Sequence, residues 1–216
     1  MRDARDTKDQ ILDAAERLFA DEGFGATSLR RILGDIGLNP AAIHYHFGGK
    51  DEVVEALFER RLGPLNAERL QRFEALERGA GAAPSVAHIV DAFISPALAL
   101  AARGEEGERF LRFVGRYLHE SGEAASARLR RTFEPVIRRF VGLLSRALPQ
   151  LQGEALAWRV HFLVGAMFHS MSCREHVGWL CGGAEKVSLE RAREELIAFA
   201  DAGLAAPVSR ATEVRS

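Results

Sequence analysis

Residues 37–50 read GLNPAAIHYHFGGK, which sets two His, one Tyr, one Phe, one Lys and one Pro within fourteen positions. A plain amphipathic helix has no use for that mixture. At 100° per residue, Ile43 and Phe47 fall on one side of a helix over 40–47. Ala41, Ala42, His44 and Tyr45 fall on the other. A helix that buries Ile and Phe while displaying alanines and ring donors suits a groove in DNA. Alanine lets the backbone approach closely and touches thymine methyls, and an imidazole hydrogen-bonds a base edge. The Tyr45 hydroxyl and the Lys50 ammonium can meet phosphate, as can the hydroxyls of Thr27 and Ser28 at the N-terminus of the preceding helix. Arg30 and Arg31 add local positive charge, and Asn39, Pro40 and His46 complete the expected interface. The bland alternative is a glycine-broken pair of short helices, common in any α-protein, with His and Tyr as half-buried surface groups. Asp13, Glu16, Asp21, Glu22 and Asp35 argue against a duplex unless they point away from it.

A second group is His169, Cys173 and His176, at i, i+4 and i+7 on one helical face. That spacing can hold a metal such as zinc. No fourth ligand is evident, although Cys181 is near, so packing or partial exposure is the plainer reading and no metal is expected. His44 and His46 diverge on a helix and are poor co-ligands. The chain carries no activated-nucleophile motif, phosphate loop or dinucleotide fingerprint, so neither a catalytic residue nor a cofactor is expected.

These residues need elements to hold them. Ile11, Leu12, Ala15, Leu18 and Phe19 recur at helical spacing and predict a helix over 8–22, ended by Gly23. Thr27 is the expected N-cap of a short helix carrying Leu29, Ile32 and Leu33, and Gly37 supplies the turn after it. Asn39 can cap the next helix, with Pro40 in its first turn. Helices are then expected over 51–77, with a bend or restart at Gly63-Pro64, and over 85–102, 107–120, 123–148, 153–178 and 188–203. No strand alternation and no internal repeat is visible. The fold class expected is all-α. The division expected is a helix-turn-helix domain over 1–50, a helical ligand-binding and dimerisation domain over 51–206, and a flexible tail over 207–216. The N-terminal bundle is too small to be very stable alone, so it is expected to lean on the helix that follows.

Composition sets the outer limits. The 216 residues are 47% hydrophobic and 27% charged, ordinary for a soluble globular protein. With 29 basic and 30 acidic residues the net charge is −1, so a nucleic-acid site must be a local patch. Two cysteines do not make a disulfide framework. The apolar window 155–171 contains Arg159, His161 and His169 and fails as a membrane span. The start, MRDARDTKDQ, lacks the apolar stretch of a signal peptide. A cytoplasmic protein is expected.

The stretch ILDAAERLFADEGFGATSLRRILGDIGLNPAAIHYHFGGKDEVVEALF, residues 11–58, resembles the DNA-binding domain of the TetR family of bacterial transcription regulators. The resemblance rests on ILDAAERLF, the turn at Gly23-Phe24, Thr27, the IGLNPAAIHYHF block and the lysine after it. It implies three helices for DNA, a larger helical domain for ligand and dimerisation, operator DNA as partner, a homodimer and no membrane. There are two departures: His44 stands where many members carry Tyr, which bears on base preference, and Gly49 stands where many carry Ser. RRLGPLNAERLQRFEALE (60–77) and WRVHFLVGAMFHSM (158–171) resemble the fatty-acid-responsive branch. That implies a repressor of lipid genes released from DNA by a long-chain fatty acid or its CoA ester. The alternative is a regulator of efflux or other metabolism that senses a non-lipid ligand.

An acyl pocket needs an apolar lining, and Phe93, Phe110, Phe113, Tyr117, Phe133, Phe140 and Phe162 are the candidates; each taken singly is more readily core. Arg109, Arg112 and Arg116 share a helix with two of them and can meet a carboxylate or phosphate, although a solvated face is the plainer reading. Trp158, Gly165, Ala166 and His169 on one helix, with Leu196 and Phe199 on the next, form apolar stripes expected at a twofold interface.

Overall fold

The computed structural model describes residues 4–39, 46–79, 84–183 and 188–208. Those residues form an all-α fold. Its helices are α1 (Ala4–Asp21), α2 (Leu29–Asp35), α3 (Lys50–Arg78), α4 (Val86–Ala101), α5 (Glu105–Ala147), α6 (Gly153–Ser172), α7 (Arg174–Leu180) and α8 (Leu189–Ala205). The chain divides into two compact units. The first is Met1–Glu68 with Ala99–Pro135, and the second is Arg69–Leu98 with Val136–Ser216.

Three local features differ from the sequence expectation or sharpen it. No break occurs at Gly63-Pro64: α3 runs through Pro64 without interruption. A mid-helix proline removes one backbone hydrogen bond and costs about 3 kcal/mol, and the buried side chains of Leu62 and Leu65 on either side offset that loss. The gap expected between 120 and 123 is a break inside α5, where Gly122 takes φ 51° and ψ −120°. The helix expected over 153–178 stops at Ser172. Cys173, at φ −132° and ψ 43°, ends α6 and starts α7.

In the first unit, α1 buries Ile11, Leu12, Ala15, Leu18 and Phe19, the residues whose spacing predicts the helix. Ile32 and Leu33 of α2 are buried too, as are Val53, Val54, Leu57 and Phe58 of α3. Aromatic rings close this core. Phe19 stacks on Phe113 at 5.7 Å between centroids, Phe24 meets Tyr117 edge-on at 5.0 Å, and Phe58 meets Tyr117 at 5.8 Å. Such pairs contribute about 0.5–1.5 kcal/mol each beyond the area they bury.

Polar links fasten α1 within this unit. Glu16 is only 1% exposed and accepts from Arg61 Nε at 2.7 Å and Nη2 at 2.9 Å. Arg61 also pairs with Glu106. Burial pulls the Arg61 guanidinium down, but its hydrogen bonds to Glu16 and Glu106 win and hold it above its ordinary value. Arg116 donates through Nη1 to Asp21 O at 2.7 Å and through Nη2 to Glu22 O at 3.2 Å, satisfying carbonyls at the end of α1. Glu120 accepts from Gly25 N–H at 2.7 Å in the turn that follows.

The second unit has its own stack. Phe93 lies on Phe140 at 4.4 Å, and Phe73 on Phe140 at 6.0 Å. Arg69, 1% exposed, donates to Phe93 O at 2.7 Å and sits 4.2 Å over the Phe93 ring. Burial pushes its pKa down to about 9, which leaves it charged at neutral pH. Helix α6 buries Leu156, Val160, Leu163 and Met167, and α8 buries Leu196, Ala200 and Leu204. Arg159 reaches the end of α8 and donates to Leu204 O at 2.8 Å and Ala206 O at 2.7 Å.

Candidate nucleic-acid interface

Helix α2 begins at Ser28, whose hydroxyl accepts from Arg31 N–H at 3.1 Å. Thr27 is therefore not the cap. It is fully buried, and its hydroxyl donates to Gly23 O at 2.7 Å. A threonine held that way fixes the turn between α1 and α2 and has no hydroxyl free for phosphate, so the phosphate contact expected of Thr27 is replaced by a structural one. Ser28 is exposed at the start of α2, and Arg30 is exposed on its surface.

Helix α2 ends in a glycine turn. Leu38 N–H donates to Leu33 O at 2.9 Å and Gly37 N–H to Gly34 O at 3.4 Å, the paired bonds of a Schellman motif. Gly37 carries φ 67°, which a residue with a Cβ adopts only at a cost. A Cβ there meets no atom within 4 Å, so the cost is conformational alone. Gly37→Ala is expected to lower stability by about 1–2 kcal/mol, read from the shift of the urea midpoint. No change would show that the turn relaxes to negative φ.

Beyond this turn, Asn39 is exposed. Pro40, Ala41, Ala42, His44 and Tyr45, the residues expected to read base edges and phosphate, lie outside the described residues, as does Ile43. His46 is half-buried and Phe47 is 6% exposed, so Phe47 takes the inward position its spacing predicts. Lys50 bends back: its ammonium donates to Phe24 O and lies 4.0 Å from the Phe24 ring centroid. Burial pushes this ammonium below its ordinary range, although nearby Asp51 and Glu120 pull the other way. The phosphate contact expected of Lys50 therefore competes with this internal one.

The acids that argued against a duplex are all paired. Asp13 meets Arg60 at 2.8 Å, Glu16 meets Arg61 at 2.7 Å and Asp21 meets Arg112 at 3.8 Å. Glu22 meets Arg31 at 2.8 Å, and Asp35 meets Arg31 at 3.3 Å. Their negative charge is locally balanced, so it opposes a polyanion less than the bare sequence suggests. Arg31 is committed to these pairs, which leaves Arg30 as the outward basic group of α2.

The aromatic residues expected in one ligand pocket fall into separate groups. Phe110, Phe113 and Tyr117 are packed in the first unit, and Phe93 and Phe140 stack in the second. Phe133 is half-buried, and Phe162 is 59% exposed on α6. The five buried rings pack on other rings, and Phe162 is exposed. Arg109 pairs with Glu105, and Arg112 and Arg116 meet groups at the end of α1. Sequence spacing missed a different cavity. A cleft of about 560 Å³ opens in the second unit between α5 and α6, lined by Ile137, Val141, Leu156, Val160 and Val164 with Gln152 and His161.

Of the residues expected at a twofold interface, Trp158, Gly165, His169 and Phe199 are exposed, and Ala166 is half-buried. Leu196 is 6% exposed and belongs to the core of its own chain. Trp158 packs on Phe162 at 5.6 Å and edge-on to His161 at 5.8 Å, so the outer face of α6 borders the cleft.

Helix α2, the Gly37 turn after it and the helical body define an all-α protein whose N-terminal part begins as a helix-turn-helix does, and comparison with known proteins gives the family. Residues 11–57 match the family described as bacterial regulatory proteins, tetR family, and residues 91–203 match the tetracyclin repressor-like C-terminal domain. The chain belongs to the TetR family of transcription regulators. It is similar to the HTH-type transcriptional repressor BepR of Brucella suis, 29% identical over 149 residues, covering 67% of this chain and 68% of BepR. A shorter likeness, 40% over 57 residues, covers 26% of this chain and 27% of the regulator TtgR of Pseudomonas putida. Among solved structures, the fatty acid degradation regulator FadR of Bacillus halodurans shares the fold, with TM-score 0.63, 16% identity and coverage of 88% and 94% of the two chains. No single helix among the described residues is long and apolar enough to cross a membrane.

Proposed function

We propose that this regulator is a homodimeric repressor that binds operator DNA through its helix-turn-helix and releases it when a small apolar ligand occupies the helical body. The observation that carries the repressor reading is the α2–Gly37 turn, placed inside a stretch that matches the family's DNA-binding domain. Ser28, Arg30, Asn39, Pro40, Ala41, Ala42, His44, Tyr45, His46 and Lys50 are its proposed contacts, with His44 on a base edge and Tyr45 on phosphate. The likeness to BepR, named a repressor, supports the sign of the regulation. For dimerisation the support is the solvent-facing row Trp158, Phe162 and Phe199 beside Gly165 and Ala166. Aromatic surface of that kind marks an interface, and two reading helices gain affinity by binding two half-sites together.

The ligand we favour is a long-chain fatty acid or its CoA ester. Support comes from the apolar α5–α6 cleft, whose volume lies in the range of about 300–1,000 Å³ usual for small-molecule sites. The ligand must prefer the conformation that does not bind DNA, or no release occurs. Fluorescence anisotropy with DNA from upstream of the protein's own gene tests both parts at fixed salt. Tight, salt-sensitive binding that a long-chain acyl-CoA abolishes is the expected result. Binding that no acyl compound alters would keep the repressor and replace the lipid by a non-lipid ligand.

A further inference from the structure

We propose that His169, Cys173 and His176 form a three-donor site for a zinc-class ion where α6 gives way to α7. The donor atoms of the three side chains all lie within 4.8 Å of one another. The break in the helix makes this possible. Along an unbroken helix, residues seven apart are separated by about 10.5 Å of axial rise. Here the chain leaves helical geometry at Cys173, and His176 N–H donates back to Cys173 O at 3.1 Å. The His169 and His176 rings come to 5.6 Å between centroids, with Cys173 between them in sequence.

The donor set selects the metal. Two imidazoles and one thiol suit zinc and neighbouring borderline ions, whereas magnesium and calcium demand oxygen donors. A tetrahedral zinc site spaces its donors about 3.3–3.7 Å apart, given bonds of about 2.0–2.3 Å. Side-chain rotation of about an ångström closes the group onto an ion. Both histidines are exposed and Cys173 is half-buried, so an ion reaches the site from solvent. Cys173 is a free thiol. Its proton leaves to solvent as the sulfur–metal bond forms, and water completes the fourth position. Coordination ties the end of α6 to α7.

The full chain, reduced and freed of metal, is titrated with Co(II) alone. One equivalent is expected to bind, with the intense near-ultraviolet charge-transfer band of a thiolate–cobalt bond and tetrahedral visible bands. Added zinc then bleaches both. Cys173→Ser is expected to abolish the charge-transfer band, and Cys181→Ser to leave it unchanged. His169→Ala and His176→Ala are expected to weaken binding by at least about 10–100-fold, the loss that even an outer partner of a metal ligand causes. Circular dichroism of each variant confirms retained helix, and because both histidines are exposed their truncation leaves the core intact. The proposal is overturned by wild-type protein that shows no saturable charge-transfer band. It is also overturned by a band that survives Cys173→Ser, or by one that disappears in Cys181→Ser.

Discussion

Replacing Glu16 with Ala is expected to destabilise the protein by about 3–5 kcal/mol. The carboxylate is 1% exposed and takes two hydrogen bonds from Arg61, at 2.7 and 2.9 Å, and a longer one from Arg60 at 3.5 Å, a cation that also pairs with Asp13. Removing it leaves a charge that is 12% exposed with Glu106 as its remaining acidic partner. The cost lies in that stranded cation more than in the lost pair itself. Two further variants separate these contributions. Glu16→Gln keeps an acceptor and is expected to lose less. Glu16→Met combined with Arg61→Met removes both charges and is expected to lie close to wild type, because an apolar pair of similar volume often replaces a buried ion pair without loss. Urea unfolding reads all three. A double variant as weak as Glu16→Ala would show that packing, not charge, sets the effect.

If the proposed dimer packs through α6, introducing Glu at Phe162 is expected to leave a monomer and to weaken operator binding by about 10²–10⁴-fold, the gain that joining two sites provides. Phe162 is 59% exposed, so the new carboxylate costs the monomer little, whereas in a dimer it would be buried against apolar surface. Trp158→Glu, at a site 52% exposed on the same helix, is expected to behave alike. Sedimentation measures the assembly and anisotropy the affinity. Should the Phe162 variant remain dimeric, the interface would lie on another surface, with Trp179 and Leu180 of α7, 75% and 74% exposed, as the next to test.

Much of the fold is local and hence readable in the chain. The 3.6-residue recurrence from Ile11 to Phe19 gives α1, and the need for positive φ at Gly37 gives the turn after α2. Where neighbours in sequence compete, the outcome depends on contacts that spacing does not report. Thr27 and Ser28 are both able to cap α2. Burial of Thr27 against the carbonyls of Gly23 and Leu18 leaves the role to Ser28. Phe162 and Leu163 are adjacent, yet Leu163 is buried and Phe162 faces solvent. Leu196 and Phe199 share a stripe on α8 and part in the same way. Large aromatic side chains on helices satisfy a pocket and a core equally well, so the spacing of Phe113 and Phe140 does not reveal the ring stacks that they join. The α5–α6 cleft is lined by ordinary branched aliphatics together with Ser145, Gln152 and His161, which carry no distinctive pattern.

The Arg116–Glu120 clamp also sets an order of events at the ribosome. Arg116 and Glu120 hold the end of α1 and the following turn from 95 positions further along the chain. At about 5–20 residues per second, the N-terminal segment waits roughly 5–20 s for these partners to be synthesised. Phe113, which covers Phe19, arrives in the same interval. Through that window the nascent α1 has an uncovered apolar side and unsatisfied carbonyls at its end, the state in which a chaperone binds or a protease cuts. A chain that ends before residue 113 therefore lacks both the ring that covers Phe19 and the groups that hold the end of α1, even though residues 11–58 are all present.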